Sequence, residues 1–203
     1  MLRKLTKYFL RFIIEPGKAA QDISQEKKAL WIGFWWLITF HFLYSLTVLI
    51  FFLLGHKPVA TPWLPIPPDK WYLIQTFTTI PVGLAGFLTY SGVVYLLVSA
   101  TDRKPEFDTI FTTQSFTIFI PCIIFMWIPE TFVAPFLIMK GMDTLPWSEW
   151  IENLRVFIIP FLWIFYMSTL TLTKITHLPW WKSLIIVIIS LIPCGLIMAV
   201  FIR

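Results

Sequence analysis

Residues 72–100 read YLIQTFTTIPVGLAGFLTYSGVVYLLVSA, residues 101–108 read TDRKPEFD, and residues 109–129 read TIFTTQSFTIFIPCIIFMWIP. Each of the two apolar arms is long enough to cross a bilayer, which takes about 20 residues at a rise of 1.5 Å. The eight residues between them carry five charged side chains, Asp102, Arg103, Lys104, Glu106 and Asp108, so this turn has to sit in water. The stretch is therefore a transmembrane helical hairpin, and the rest of the chain repeats or anchors it.

Composition places the whole chain in the same class. It is 58% hydrophobic and only 13% charged, with a mean hydropathy of +0.77. An average soluble domain carries about twice that charge. An all-α integral membrane protein is expected, a single five-helix bundle with spans at about 29–54, 72–100, 109–129, 155–174 and 181–202. The first apolar run begins only at Ala29 and is 26 residues long, too late and too long for a cleavable signal. Residues 1–28 are then a cytoplasmic segment and residues 29–203 the membrane domain. Of the 16 Lys and Arg, 11 fall in the N-terminal segment and the turns near 101–108 and 174–182, against five on the opposite side. The positive-inside rule puts the N-terminus in the cytoplasm and, with five spans, Arg203 outside.

The external segments 55–71 and 130–154 are longer and rich in Pro and Trp, and 132–139 and 147–154 are expected to lie on the outer surface. Trp31, Trp35, Trp36, Trp180 and Trp181 suit one interface, and Trp63, Trp71, Trp127, Trp147 and Trp150 the other. Residues 1–14 form an amphipathic helix on a 100° wheel. Leu2, Leu5, Tyr8, Phe9, Phe12 and Ile13 share one side and Arg3, Lys4, Lys7 and Arg11 the other. Such a helix lies in the headgroup layer, with its basic residues on anionic lipid headgroups. A merely solvated basic tail is the alternative. Pro16 suits the first turn of a second short helix.

The spans contain no obvious reaction centre. No Asp, Glu, Lys or Arg lies well inside the expected boundaries, which argues against proton-coupled transport and intramembrane acid–base chemistry. His41 is the one imidazole in the hydrocarbon, read as a neutral hydrogen-bonding group between helices rather than a ligand or base. No metal spacing, nucleophile elbow or phosphate loop is present, so no cofactor and no nucleic-acid partner are expected.

An Ile-Pro step recurs in spans two to five, at Pro81, Pro121, Pro160 and Pro193. These prolines share a level about six to nine residues from the external end, or roughly 9–14 Å at helical rise. Each frees the carbonyl four residues before it. Either the kinks shape a tapered bundle, or they open an uncharged polar cavity between spans two and three, lined by Gln75, Thr79, Gln114 and Thr117 with His41. Cys122 and Cys194 each follow one of these prolines; free buried thiols are the simpler reading, a disulfide the other. Gly83, Ala85, Gly86, Thr89 and Gly92 offer close helix packing, or a face for a homo-oligomer.

Several features together resemble the Yip domain family, membrane proteins named for interacting with Ypt/Rab GTPases. They are the Phe12-Ile13-Ile14-Glu15-Pro16-Gly17-Lys18-Ala19 entry to the first span, Lys104-Pro105-Glu106-Phe107 leading into a polar helix that reaches Ile120-Pro121, and a short final turn. The resemblance covers roughly residues 9–203. It implies a five-span helical domain with a role in membrane traffic or organisation. The chain lacks the long polar N-terminus and the Asp-Leu-Tyr-Gly-Pro motif of eukaryotic members and is closer to the prokaryotic branch, implying a bacterial cytoplasmic membrane. Three functions follow from these readings. The first is a non-enzymatic scaffold organising the membrane or binding other membrane proteins. The second is a small permease or lipid-translocating protein, and the third an accessory subunit of a larger complex.

Overall fold

The computed structural model describes residues 1–58, 64–103, 105–141 and 149–199, so Trp63, Lys104, Trp147 and Arg203 lie outside the described residues. All regular structure among the described residues is helical, and five helices are long and apolar enough to cross a membrane. The chain is a multi-pass membrane protein.

Two short helices come first, α1 (Leu2–Ile14) and α2 (Pro16–Ser24). Pro16 occupies the first turn of α2, where its missing N–H costs nothing. Spans one and two are α3 (Ala29–Leu53) and α4 (Trp71–Ser99). They run antiparallel, Phe51 meeting Tyr72 at one end while His41 meets Gly83 at mid-length. The α4–α5 turn passes through Asp102, whose φ of 57° is a left-handed conformation that Asp tolerates.

Span three departs from the expected boundary at 129. It begins as α5 (Phe107–Cys122) and continues through two π turns, Ile123–Trp127 and Pro129–Val133, into α6 (Ala134–Met139). The apolar helical stretch runs Phe107–Met139, 33 residues. Residues 132–139 therefore extend the span instead of forming a separate surface piece. Likewise α7 (Glu149–Asn153) runs through a π turn, Leu154–Ile158, into α8 (Ile159–Thr176), and the apolar stretch of span four begins at Leu154. A proline tolerates a helix when neighbours take up the carbonyl it strands, and wide turns supply the necessary slack. His177 closes α8 in the left-handed region, and α9 (Trp180–Met198) is span five.

The helix α5 is the hub. Residues 109–121 are all buried, because α1, α2, α3, α4 and α8 pack around them. That explains why its sequence is so polar for a membrane span: Thr112, Thr113, Gln114, Ser115 and Thr117 face protein on every side. Phe40, Phe87, Phe111, Phe116 and Phe119 fill the space between α3, α4 and α5. Helices α3 and α5 approach closely at Gly33, where an added Cβ would stand 2.8 Å from the Thr112 Cα. The helices α8 and α9 complete the bundle and expose Phe161, Leu162, Ile185, Ile192 and Leu196, the surface that lipid covers.

Trp31, Trp35, Trp180 and Trp181 are exposed at the end of the bundle that carries α1 and α2, here the proximal end. Trp36 and Trp71, read as interface anchors, are instead buried. Trp36 stacks on Phe116 at 4.7 Å and donates to the Ser115 carbonyl at 3.2 Å.

Candidate functional site

The four basic residues of α1 divide into two pairs. Lys4 Nζ lies 2.8 Å from Glu26 Oε2, and Arg11 forms an ion pair with Asp22. The Tyr8 hydroxyl donates to Glu26 Oε1 at 2.9 Å. These contacts clasp α1 to α2 and the residues that follow it. Hydrogen bonding from Lys4 holds the Glu26 carboxyl below the usual carboxylate range, while burial, reinforced by Glu26, pushes the Tyr8 phenol upward. Arg3 and Lys7 are exposed and make no ion pair among the described residues.

The apolar side of α1 divides too. Leu5, Tyr8 and Phe12 are buried against the bundle, and Phe12 stacks on Phe116 at 5.0 Å with an interplanar angle of 3°. This face was read as meeting lipid, but it meets α5 because Phe116 and Trp36 present a matching aromatic surface. A second apolar stripe remains outside: Leu2 is 75%, Leu10 52% and Ile14 75% exposed. It lies at i, i+8 and i+12 on one side of the helix, next to Arg3 and Lys7. Meanwhile α2 seals the proximal side, with Ala19, Ala20 and Ile23 wholly buried and Gly17 against the Lys174 stem.

The residues expected to line one polar cavity belong to two separate clusters. In the first, the Tyr90 hydroxyl donates to Gln114 Oε1 at 2.8 Å, Gln114 Nε2 reaches Thr171 Oγ1 at 3.3 Å, and Thr117 Oγ1 lies 2.8 Å from Ser168 Oγ. Gln114 and Thr117 therefore join α5 to α8 as well as to α4. In the second, His41 Nδ1 donates to the Leu37 carbonyl at 2.8 Å, and the ring packs on the α4 backbone at Gly83. Thr79 lies one turn further along α4 and Gln75 a turn beyond that, Thr79 donating to the Gln75 carbonyl at 2.6 Å. Because α4 and α5 are antiparallel, Gln75 is near the distal end of its helix and Gln114 near the proximal end of its own, on the order of 20 Å apart along the axis. His41 Nε2 and Gln75 Oε1 are buried without a partner among the described residues.

The prolines also behave differently from one another. Pro81 and Pro193 lie inside continuous α-helix, Pro121 lies two residues before one π turn, and Pro160 two residues after another. The π turns Ile123–Trp127 and Leu154–Ile158 pack together. Arg155 Nη1 donates to the Phe125 carbonyl at 2.5 Å. Phe125 lies within the first of these π turns, four residues before Pro129, which has no backbone N–H to donate. Nearby, the Tyr44 hydroxyl donates to Glu130 at 3.2 Å and Thr47 meets Thr131 at 2.7 Å. Glu130 is thus carried within the third apolar helix, where the sequence had suggested a loop.

Gly83 and Gly86 mediate close packing, against α3 and α9 respectively, whereas Gly92 has nothing within 4 Å of an added Cβ. Cys122 and Cys194 are both free thiols. Among the described residues no three His, Cys, Asp or Glu side chains are grouped to hold a metal ion. The acidic partners Asp22 and Glu26 went unremarked in the sequence; their signal is their position opposite Arg11 and Lys4 once α1 folds back on α2.

Comparison with curated proteins and with solved structures finds no match. The protein-family comparison does: over residues 10–202 the chain matches the Yip1 domain, and it belongs to that family.

Proposed function

We propose that this Yip1-family protein is a non-enzymatic membrane organiser, a five-span scaffold whose N-terminal helix sets its relation to one leaflet. The observation that carries the reading is α1 itself. It is fastened to the bundle by Lys4, Arg11 and Phe12, and it still turns Leu2, Leu10 and Ile14 outward beside Arg3 and Lys7, which make no ion pair among the described residues. A helix held in this way is a fixed wedge in the headgroup layer, drawn to anionic lipid through Arg3 and Lys7. The excess of Lys and Arg at this end favours a cytoplasmic N-terminus. Partner membrane proteins, or a second copy, would meet the lipid-facing helices.

Reconstitution into vesicles tests this against the transport alternative. The organiser reading expects vesicle shape, seen by electron cryomicroscopy, to change with protein density in anionic lipid, and the change to shrink in Arg3→Gln/Lys7→Gln. Lipid scrambling or solute flux without any shape effect would replace it with the translocation reading, which the separation of Gln114 and Thr117 from Gln75, Thr79 and His41 into two clusters does not favour.

A further inference from the structure

Tyr166 is out of place in span four. It lies eight residues from Lys174 and eleven from Arg155, the charged side chains that bracket the span, and no charged residue stands between those two. At helical rise the distances are about 12 Å and about 16 Å, which puts the residue near the middle of a hydrocarbon layer about 30 Å thick. Tyrosines in spans are enriched at the interfaces, where the hydroxyl meets water and headgroups. Here the side chain is 66% exposed on the outside of α8. Its hydroxyl has no hydrogen-bond partner among the described residues, whereas Tyr90, deep inside the bundle, donates to Gln114. Lipid tails offer such a hydroxyl nothing, and leaving it unpaired in hydrocarbon is unfavourable.

Symmetry says what would pair with it. All copies insert with one topology, so two α8 helices that meet across a two-fold axis along the membrane normal run parallel, and each residue is level with its own counterpart. A phenol is both donor and acceptor, so two Tyr166 hydroxyls satisfy each other, as two donor-only groups could not. The rest of this side of α8 suits a helix pair. Ile159, Leu162, Tyr166 and Thr173 follow one another at steps of three, four and seven, the repeat of a left-handed crossing. Ile159 and Leu162 are exposed and Thr173 is half-buried.

We propose that α8 is the contact surface for a second copy of this chain, a parallel two-fold seam closed at the bilayer midplane by a hydrogen bond between the two Tyr166 hydroxyls. The pairing needs only the multi-pass architecture and is independent of what α1 does.

The purified full-length chain in liposomes tests it, with the dimer fraction read by single-molecule photobleaching as protein is diluted into lipid. A monomer–dimer equilibrium is expected. Tyr166→Phe keeps the ring and removes only the hydroxyl, and it is expected to move the midpoint about fivefold to higher protein density. In a chain with Cys122 and Cys194 replaced by Ala, Leu162→Cys is expected to form an intermolecular disulfide on treatment with iodine, less of it when Tyr166→Phe is added. Ile188→Cys on α9 and Leu88→Cys on α4, also at outward positions, are expected to form none. Monomers at every density, a dimer cross-linked through position 188 or 88 instead, or a midpoint that Tyr166→Phe leaves unchanged would each overturn the assignment.

Discussion

Replacing Phe12 by Ala should release α1 from the bundle while leaving the five spans assembled. Phe12 is wholly buried, and its ring lies face to face with Phe116, whose other neighbours include Trp36 and Tyr8. Truncating a buried Phe costs about 3–5 kcal/mol. Taking about 3, because an edge-mounted helix relaxes better than a core, the population of undocked α1 rises on the order of 100-fold at 1.4 kcal/mol per factor of ten. A thiol at position 5 reads this directly, since Leu5 is buried only while α1 is docked. In a Leu5→Cys chain with Cys122 and Cys194 replaced by Ala, the labelling rate should rise by that factor when Phe12→Ala is added. A second probe, Val94→Cys in the core of α4, should not change. A rise below about threefold at position 5, or an equal rise at position 94, would refute the idea that the Phe12–Phe116 stack holds α1 locally.

Three further outcomes are expected. Docking of α1 should weaken as pH falls below the ordinary Glu value of about 4.3, because a carboxyl with a lowered folded value stabilises above its unfolded value and that support is lost as it protonates; the same thiol assay from pH 7 to 3 checks this, and Glu26→Gln should flatten the profile. Gly83→Ala should cost about 1–3 kcal/mol in denaturant unfolding, since its Cβ would sit 1.9 Å from His41 Nε2, whereas Gly92→Ala should be neutral or stabilise by up to about 1 kcal/mol. Arg155→Met should cost about 1–3 kcal/mol by abandoning the Phe125 carbonyl; in a Pro129→Ala background, which restores a backbone donor, the loss should shrink by at least about 0.5 kcal/mol.

The five spans were legible because bilayer thickness imposes a minimum apolar length that any reader of the sequence can count. The hairpin at 72–129 is where this worked best: the charged turn at 101–108 does separate α4 from α5. The far end of span three was not legible, because Pro129 and Glu130 look like a terminus until Arg155, 30 positions away in the chain, is seen to donate to the Phe125 carbonyl. Polar side chains misled for a similar reason. Gln114 and Thr117 suggested a cavity, yet their partners Tyr90, Ser168 and Thr171 lie on two other helices. On α1 the wheel separated apolar from basic, but not the half of each that serves the bundle from the half that remains outside. That division is a property of what α1 lands on.

The landing surface of α1 has a consequence in time. Ribosomes deliver about 5–20 residues per second, and Phe116 emerges roughly a hundred residues after Phe12, so α1 waits on the order of 5–20 s for its seat to exist. Its companion α2 waits longer still, since Gly17 rests on Lys174 near the end of span four. The first helices made are thus among the last to lock, and they close only over a nearly complete bundle.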